Sequence, residues 1–309
     1  MEELGVNKRR DFLGYGAHPP TIPWPNKARV ALSFVLNFEE GSELSIADGD
    51  ERNESVYEAK EEVIGQPDLC MESHYEYGTR AGYWRIMTLL EEFDAPVTVS
   101  ACARAAKRSP TLIQDAFARG HEISCHGYRW ESHAGMLPSE EEAIIHSTFK
   151  TIHAITGAPP KGWHTRSASS LQTRQLLVEH GGFLYDSDAY NDDVPYFAAN
   201  TARPHIILPY AFDTNDMRFQ PGGGFVHHQD FSDYCIAAYD ELWDEGAHHT
   251  KMLSIGLHLR IIGKAARIQG LRTFLRYVQQ RQATWIARRD AIAMHWQKHA
   301  CPTSITTSV

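Results

Sequence analysis

Short apolar runs in this chain repeatedly stop at residues that could do chemistry. The first, "ALSFVLNFEEG", drives an apolar stretch into Glu39 and Glu40, closed by Gly41. "ISCHGYRW" supplies His126 and Trp130, and "KGWHTRS" supplies Trp163, His164 and Arg166. "FLYDSDAYNDD" carries Asp186, Asp188, Asp192 and Asp193, and "LSIGLHLR" ends in His258 and Arg260. Adjacent carboxylates repel, and repulsion raises an apparent pKa of the pair, so one member can stay basic enough to take a proton from water near neutrality. A histidine at a neighbouring strand end could protonate a departing nitrogen. Fixed donors such as His126, Arg166 or backbone N–H groups could hold an oxyanion, and the indoles of Trp130 and Trp163 would wall a small flat ring. Each feature also has an ordinary explanation: solvated loop acids, a structural histidine, a core tryptophan, a helix-capping aspartate. Their convergence at strand ends is what points to a site.

Other chemistries fit less well. A zinc site would be expected to pair His126 with a second histidine four residues on, but that position is Trp130. His133 lies at an unusual spacing, so one glutamate and one histidine leave a three-ligand site one short. No GxSxG elbow or phosphate-binding loop appears, since "PGGGF" at 221–225 lacks a strand–loop–helix frame. No serine or cysteine has an evident base nearby in sequence.

These residues need a frame that brings strand ends together. β-rich runs occur at 28–36, 96–101, 121–125, 182–186, 205–208, 252–258 and 283–287, with helical patterns between most of them. In "GTRAGYWRIMTLLEEF", Ala81, Trp84, Ile86, Leu89 and Leu90 fall near one helical face. "SPTLIQDAFARG" reads as a helix from Ser109 as N-cap and Pro110 to Gly120, and "SEEEAIIHSTFKTIHAITG" as one from Ser139, with a capping-box-like Glu142, to Gly157. "SLQTRQLLVEHGG" and "GLRTFLRYVQQR" continue the theme. Strand–helix units without a linker predict a parallel, barrel-like α/β domain, with a doubly wound open sheet as the alternative. In either, the C-terminal strand ends form the active face. Residues 1–27, with "HPPTIPWP", read as an extended arm, 28–309 as a single catalytic domain, and about 41–77 as an insertion near the active face or a subunit interface.

The 309 residues with 42% hydrophobic content are enough for a full core. A net charge of −9 disfavours nucleic acid and anionic membrane as partners. Five scattered cysteines with no CxxC read as reduced thiols. No signal-peptide core or membrane-length apolar run is visible, so a soluble, cytoplasmic protein is expected. Seventeen histidines is a high count, but His227, His228, His248, His249, His295 and His299 read as solvated surface.

Over most of its length, from about residue 10 to 299, the chain resembles the NodB-homology polysaccharide deacetylase superfamily, and within it the metal-independent allantoinases and related cyclic imide hydrolases. "NFEEG" stands where deacetylases carry a "TFDDG"-like motif, and "SCHGYRW" where they carry "SHGxxW"-like sequence. "MESHYEYGTRAGYWR", "GFLYDSDAYNDDVPY", "PYAFDTNDMRF" and "MLSIGLHLRIIGKAAR" look like segments of the allantoinase subgroup. The resemblance implies a deformed (β/α)7 barrel and hydrolysis of a C–N amide-type bond. By position it puts Glu39 in the base slot, Glu40 in the metal-aspartate slot, His126 in the first metal-histidine slot and His258 in the general-acid slot. Trp130 in the second metal-histidine slot points away from zinc deacetylation, hence to no cofactor. The implied substrate is a small cyclic ureide, allantoin first, with a cyclic imide as alternative and zinc-dependent deacetylation of an acetylated sugar as a further one. Trp130, Trp163, His164, Arg166 and Asp188 are the expected substrate contacts, and a homotetramer is the implied assembly. The chain departs from the subgroup's "GWYTGR"-like segment in reading "GWHTRS", which bears on the pocket lining.

Overall fold

The computed structural model describes residues 10–55, 61–166 and 168–300. The first nine residues of the expected arm, part of the 41–77 insertion, Ser167 and Cys301 lie outside the described residues. The strands are β1 (Val30–Phe38), β2 (Thr98–Ala101), β3 (Glu122–Cys125), β4 (Gly162–Trp163), β5 (Tyr185–Asp186), β6 (Tyr196–Phe197), β7 (Ile206–Ile207), β8 (Lys251–His258) and β9 (Thr284–Ile286). The helices are α1 (Leu69–Tyr77), α2 (Tyr83–Glu92), α3 (Ala103–Arg108), α4 (Pro110–Ala118), α5 (Pro138–Thr156), α6 (Thr173–His180), α7 (His228–Glu245), α8 (Ile268–Gln280) and α9 (Arg289–His299).

The sheet runs β6-β7-β5-β4-β3-β2-β1-β8, with β9 also pairing to β1. All pairings are parallel except β6 with β7. The sheet curls into a deformed barrel of the NodB type. Past β7 the chain bridges to β8, where Gly256 N–H donates to Thr214 O at 3.1 Å. Every residue of β1 is buried, as expected of a parallel strand covered on both faces. Val30, Leu32, Phe34, Leu36 and Phe38 pack outward in the large core shared with the helices. On α8, Leu271, Phe274, Leu275 and Val278 sit at i, i+3, i+4, i+7 and are buried in that core. Truncating any one of them to alanine would cost about 2–5 kcal/mol.

The opposite face of β1 carries Ser33 and Asn37, and the barrel interior is correspondingly polar. Arg289, the first residue of α9, is buried there, donating to Ser187 Oγ and Ser254 Oγ at 3.0 Å each and to the carbonyls of Leu208 and Pro209. A second core of Trp24, Ala31, Ile206, Met252, Ile292 and Trp296 lies beside it. Trp24, from the N-terminal arm, donates its indole N–H to Lys251 O at 2.7 Å.

Several sequence expectations need correction. Trp84 is 46% exposed, because Tyr83, Ile86, Met87, Leu89 and Leu90 form the buried face of α2. Helix α5 starts before Ser139: Pro138 takes the first position, Leu137 is the N-cap, and Glu140 rather than Glu142 reaches back to Leu137 N–H at 3.2 Å. Ser109 makes no side-chain capping bond. Among the described residues no helix is long and apolar enough to cross a membrane.

Candidate functional site

Strand register brings the chemical residues to one level. Asn37 pairs with His258, Phe38 with Ala101, Ala101 with Cys125, and Cys125 with Trp163. The next residues along β1, β3 and β4 are therefore Glu39, His126 and His164, level with His258 at the end of β8. Gly41 makes the β1 ending possible: its φ of +94° lets the chain turn at once, with Ser42 N–H donating to Glu39 O at 2.8 Å.

A cavity of about 570 Å³ opens at this level, lined among others by Glu39, His126, Trp130, His164, Arg166, His258 and Arg260. Glu39 is at its centre. Its Oε1 lies 3.3 Å from His126 Nε2 and 3.5 Å from His258 Nε2, and its Oε2 accepts from Arg260 Nη1 at 2.8 Å. Burial would raise the Glu39 carboxyl, but the charges of His258 and Arg260 and bonds from both histidines hold it well below its usual range. Glu40 behaves oppositely. Burial, reinforced by the Glu39 charge and only partly offset by Arg260, lifts it to about 6. The carboxylate pair thus splits, and the raised member is Glu40 rather than Glu39. Glu40 is turned away from the cavity, accepting from Glu39 N–H at 3.1 Å and from Arg260 N–H at 3.2 Å. Gly78, in a π-helical turn between α1 and α2, gives it room: a Cβ there would sit 2.5 Å from Glu40 Oε1.

His258 is held by Asp216, whose Oδ1 accepts from Nδ1 at 2.6 Å while Oδ2 accepts the backbone N–H groups of His258 at 2.7 Å and Ile262 at 3.0 Å. Burial disfavours the imidazolium, yet Asp216 and Glu39 together raise its pKa to about 9. At neutral pH His258 is a cation aimed at Glu39. His126 donates Nδ1–H to His164 O at 2.7 Å, which orients the ring with Nε2 toward the Glu39 carboxylate. His164 stacks on His126 with centroids 5.0 Å apart, and burial followed by the His126 charge depresses its pKa well below normal. Trp130 lies under the Arg166 guanidinium at 3.5 Å and accepts from Arg166 Nη1 through its carbonyl at 3.1 Å.

Two expected substrate contacts fall elsewhere. Trp163 is fully buried in the core, donating to Thr165 Oγ1 at 2.9 Å and packing on Phe183, because β4 turns its side chain away from the cavity. Asp188 does not line the cavity; it accepts from Thr165 N–H at 2.7 Å and from Thr165 Oγ1 at 2.6 Å, bracing the His164–Arg166 segment from behind. Asp192 and Asp193 lie away from the cavity lining. Sequence reasoning missed Asp216, Asn37, Tyr75, Tyr210 and Glu54. Asp216 lies 42 positions before His258, with no local pattern to connect them.

The donor set does not fit a metal ion. One Glu40 oxygen is taken by Arg260 and the other by Glu39 N–H, and Arg260 Nη1 lies 2.8 Å from Glu39 and 3.4 Å from Glu40. A guanidinium therefore occupies the space between the carboxylates that a cation would need. Among the described residues no group of three His, Cys, Asp or Glu is arranged to hold one.

Comparison with known proteins fixes the lineage. A Schizosaccharomyces pombe protein provisionally named a polysaccharide deacetylase is 33% identical over 94% of this chain and 98% of its own length. The family model described as polysaccharide deacetylase matches residues 66–183. The chain belongs to the polysaccharide deacetylase family. Among solved members of similar fold, Puue allantoinase is 45% identical, covering 95% of this chain and 98% of that one at a TM-score of 0.90. A probable polysaccharide deacetylase from Pseudomonas aeruginosa PAO1 is 44% identical, covering 95% and 99%, also at 0.90. Polysaccharide deacetylase family membership makes this protein a hydrolase.

Proposed function

We propose that this protein opens a small cyclic ureide, allantoin first among candidates, by metal-independent hydrolysis of a ring C–N bond. The observation that carries the reading is the Arg260 guanidinium between Glu39 and Glu40 where a deacetylase of this family would need a metal ion. Likeness to Puue allantoinase supports it.

In this scheme a water sits against ionised Glu39 and attacks a ring carbonyl. Its hydroxyl adds to the carbonyl carbon and its second proton passes to Glu39. Positive charge from Arg260 stabilises the oxyanion. As the tetrahedral centre collapses, the C–N bond breaks and cationic His258 protonates the departing nitrogen. A carboxylate with a depressed pKa is a weak base and must pass its proton on. His258, neutral after donating and 3.5 Å away, takes it back, restoring both groups. Glu40 stays behind the site, holding the backbone of Glu39 and Arg260 in place. Cytoplasmic location and a homotetramer belong to the same proposal.

The test is turnover of allantoin, hydantoin and succinimide with identification of the ring-opened product, repeated on Glu39→Gln. Opening of allantoin by wild type and loss of at least about a thousandfold in the folded variant are expected. A near-normal rate in Glu39→Gln would sink the base assignment, and preference for succinimide would shift the reading to a cyclic imide hydrolase. A zinc-dependent deacetylase is the second reading, favoured by the names of the Schizosaccharomyces pombe and Pseudomonas aeruginosa relatives.

A further inference from the structure

The same cavity carries polar atoms that the protein leaves unsatisfied. Among the described residues, Glu54 Oε2, Asn37 Oδ1, His164 Nδ1 and Tyr75 Oη are buried without a partner, and all four residues line the cavity. Buried polar atoms without partners are costly and persist where a ligand completes them. A carboxylate oxygen and an amide oxygen can only accept, so the missing partner must bring hydrogen-bond donors.

Glu54 differs from the others in origin. It comes from the segment between β1 and α1, whereas Asn37 and His164 belong to strand ends and Tyr75 to α1, and the segment is built to present it. Glu54 N–H donates to Leu44 O at 2.8 Å. Next to it, Asn53 accepts from Ile46 N–H at 3.1 Å and donates to the carbonyls of Val63 and Gln66 at 2.9 Å each. The other Glu54 oxygen faces Arg166 Nη2 only loosely, at 3.9 Å, while Arg166 is engaged with the Trp130 ring and carbonyl. Glu54 is linked to Arg166, which stacks on Trp130, whereas Glu39 is held by His126, His258 and Arg260, so what Glu54 meets is a part of the ligand other than the reacting amide.

We infer that Glu54 is a specificity residue that accepts N–H hydrogen bonds from an amide arm, a ureido group, carried by the ring substrate. The enzyme then selects a ring bearing such an arm over the same ring without it. This rests on the cyclic-ureide reading above and extends it to a residue that the catalytic steps do not use.

Allantoin and hydantoin share the ring and differ by the arm. The experiment measures KM and kcat for allantoin, and the inhibition constant of hydantoin as its competitor, in wild type, Glu54→Gln and Glu54→Ala, with thermal melts confirming that each is folded. Loss of a charged acceptor predicts an allantoin KM raised about tenfold or more in Glu54→Ala and less in Glu54→Gln, which keeps one acceptor. kcat should change far less, and the hydantoin constant should stay within about twofold of wild type. A parallel rise of both constants, or no change in either, overturns the inference while leaving the functional reading intact. Wild-type protein inert toward allantoin overturns the functional reading and takes this inference with it.

Discussion

Asp216→Asn should convert His258, the general acid of the proposed mechanism, into a poor one without emptying the site. Asp216 contacts His258 Nδ1 at 2.6 Å, and both side chains are buried. Asparagine preserves the shape and can still accept from the N–H groups of His258 and Ile262, but it removes the negative charge. Two unit charges about 4 Å apart at an effective dielectric near 20 interact by about 4 kcal/mol, roughly three pH units. Glu39, 3.5 Å from the other ring nitrogen, favours the cation equally in both proteins, so the imidazolium pKa should drop from about 9 by roughly three units. The acid is active when protonated, so wild-type kcat/KM should fall as pH rises through about 9. In Asp216→Asn that alkaline limb should appear at roughly pH 6, with the plateau lowered by about a hundredfold as the asparagine N–H₂ forces the wrong tautomer. The assay is initial-rate ring opening across the pH range, with circular dichroism to confirm folding. An unchanged alkaline limb with a rate within about threefold of wild type would refute the idea that Asp216 sets the acidity of His258.

Gly78→Ala should cut activity more than stability. Gly78 has ordinary helical dihedrals, so alanine strains no backbone, but its Cβ would meet Glu40 Cγ and Cδ at 2.7 Å. The displaced Glu40 would disturb Arg260 and Glu39, and kcat should fall at least about tenfold while the melting temperature moves by only a few degrees. Glu40→Gln should instead flatten the pH dependence of stability. Because the folded pKa of Glu40 is raised to about 6 from 4.5, stability falls as pH rises from 4.5 through about 6 and stays lower above it. Glutamine is neutral at every pH, although its N–H₂ replaces one of the two acceptors, so its stability should stay flat between pH 4.5 and about 6, where wild type loses up to about 2 kcal/mol in urea melts, and kcat/KM should be reduced. A variant whose stability falls with pH as that of wild type does would contradict the burial account of Glu40.

The long, patterned elements were legible in the sequence. β1 and β8 are continuous apolar runs, and α5 and α8 carry helical periodicity with apolar stripes. The two-residue strands β4 and β6 were not visible, because so few residues cannot show a period. Helix α7 was overlooked although Phe231, Cys235, Tyr239 and Leu242 mark a buried stripe among its many acids. In the site, strand-end position gathers Glu39, His126, His164 and His258 at one level, since register alone levels them. It failed for Trp163 and Asp188, where alternation and loop geometry turn the side chains inward or behind. It could not reveal Asp216 or Glu54, whose roles depend on contacts between distant segments. The pairing of Arg260 with both carboxylates was equally invisible, although its place two residues beyond His258 had drawn notice.

In the proposed mechanism a built-in guanidinium, not a bound metal, serves the paired carboxylates. The most direct test is the rate of allantoin opening by exhaustively chelated wild-type protein whose metal content is measured by elemental analysis on the same sample. Full activity is expected at far below one metal ion per chain. Activity that vanishes on chelation, returns with stoichiometric zinc and is directed at an acetylated sugar would contradict it.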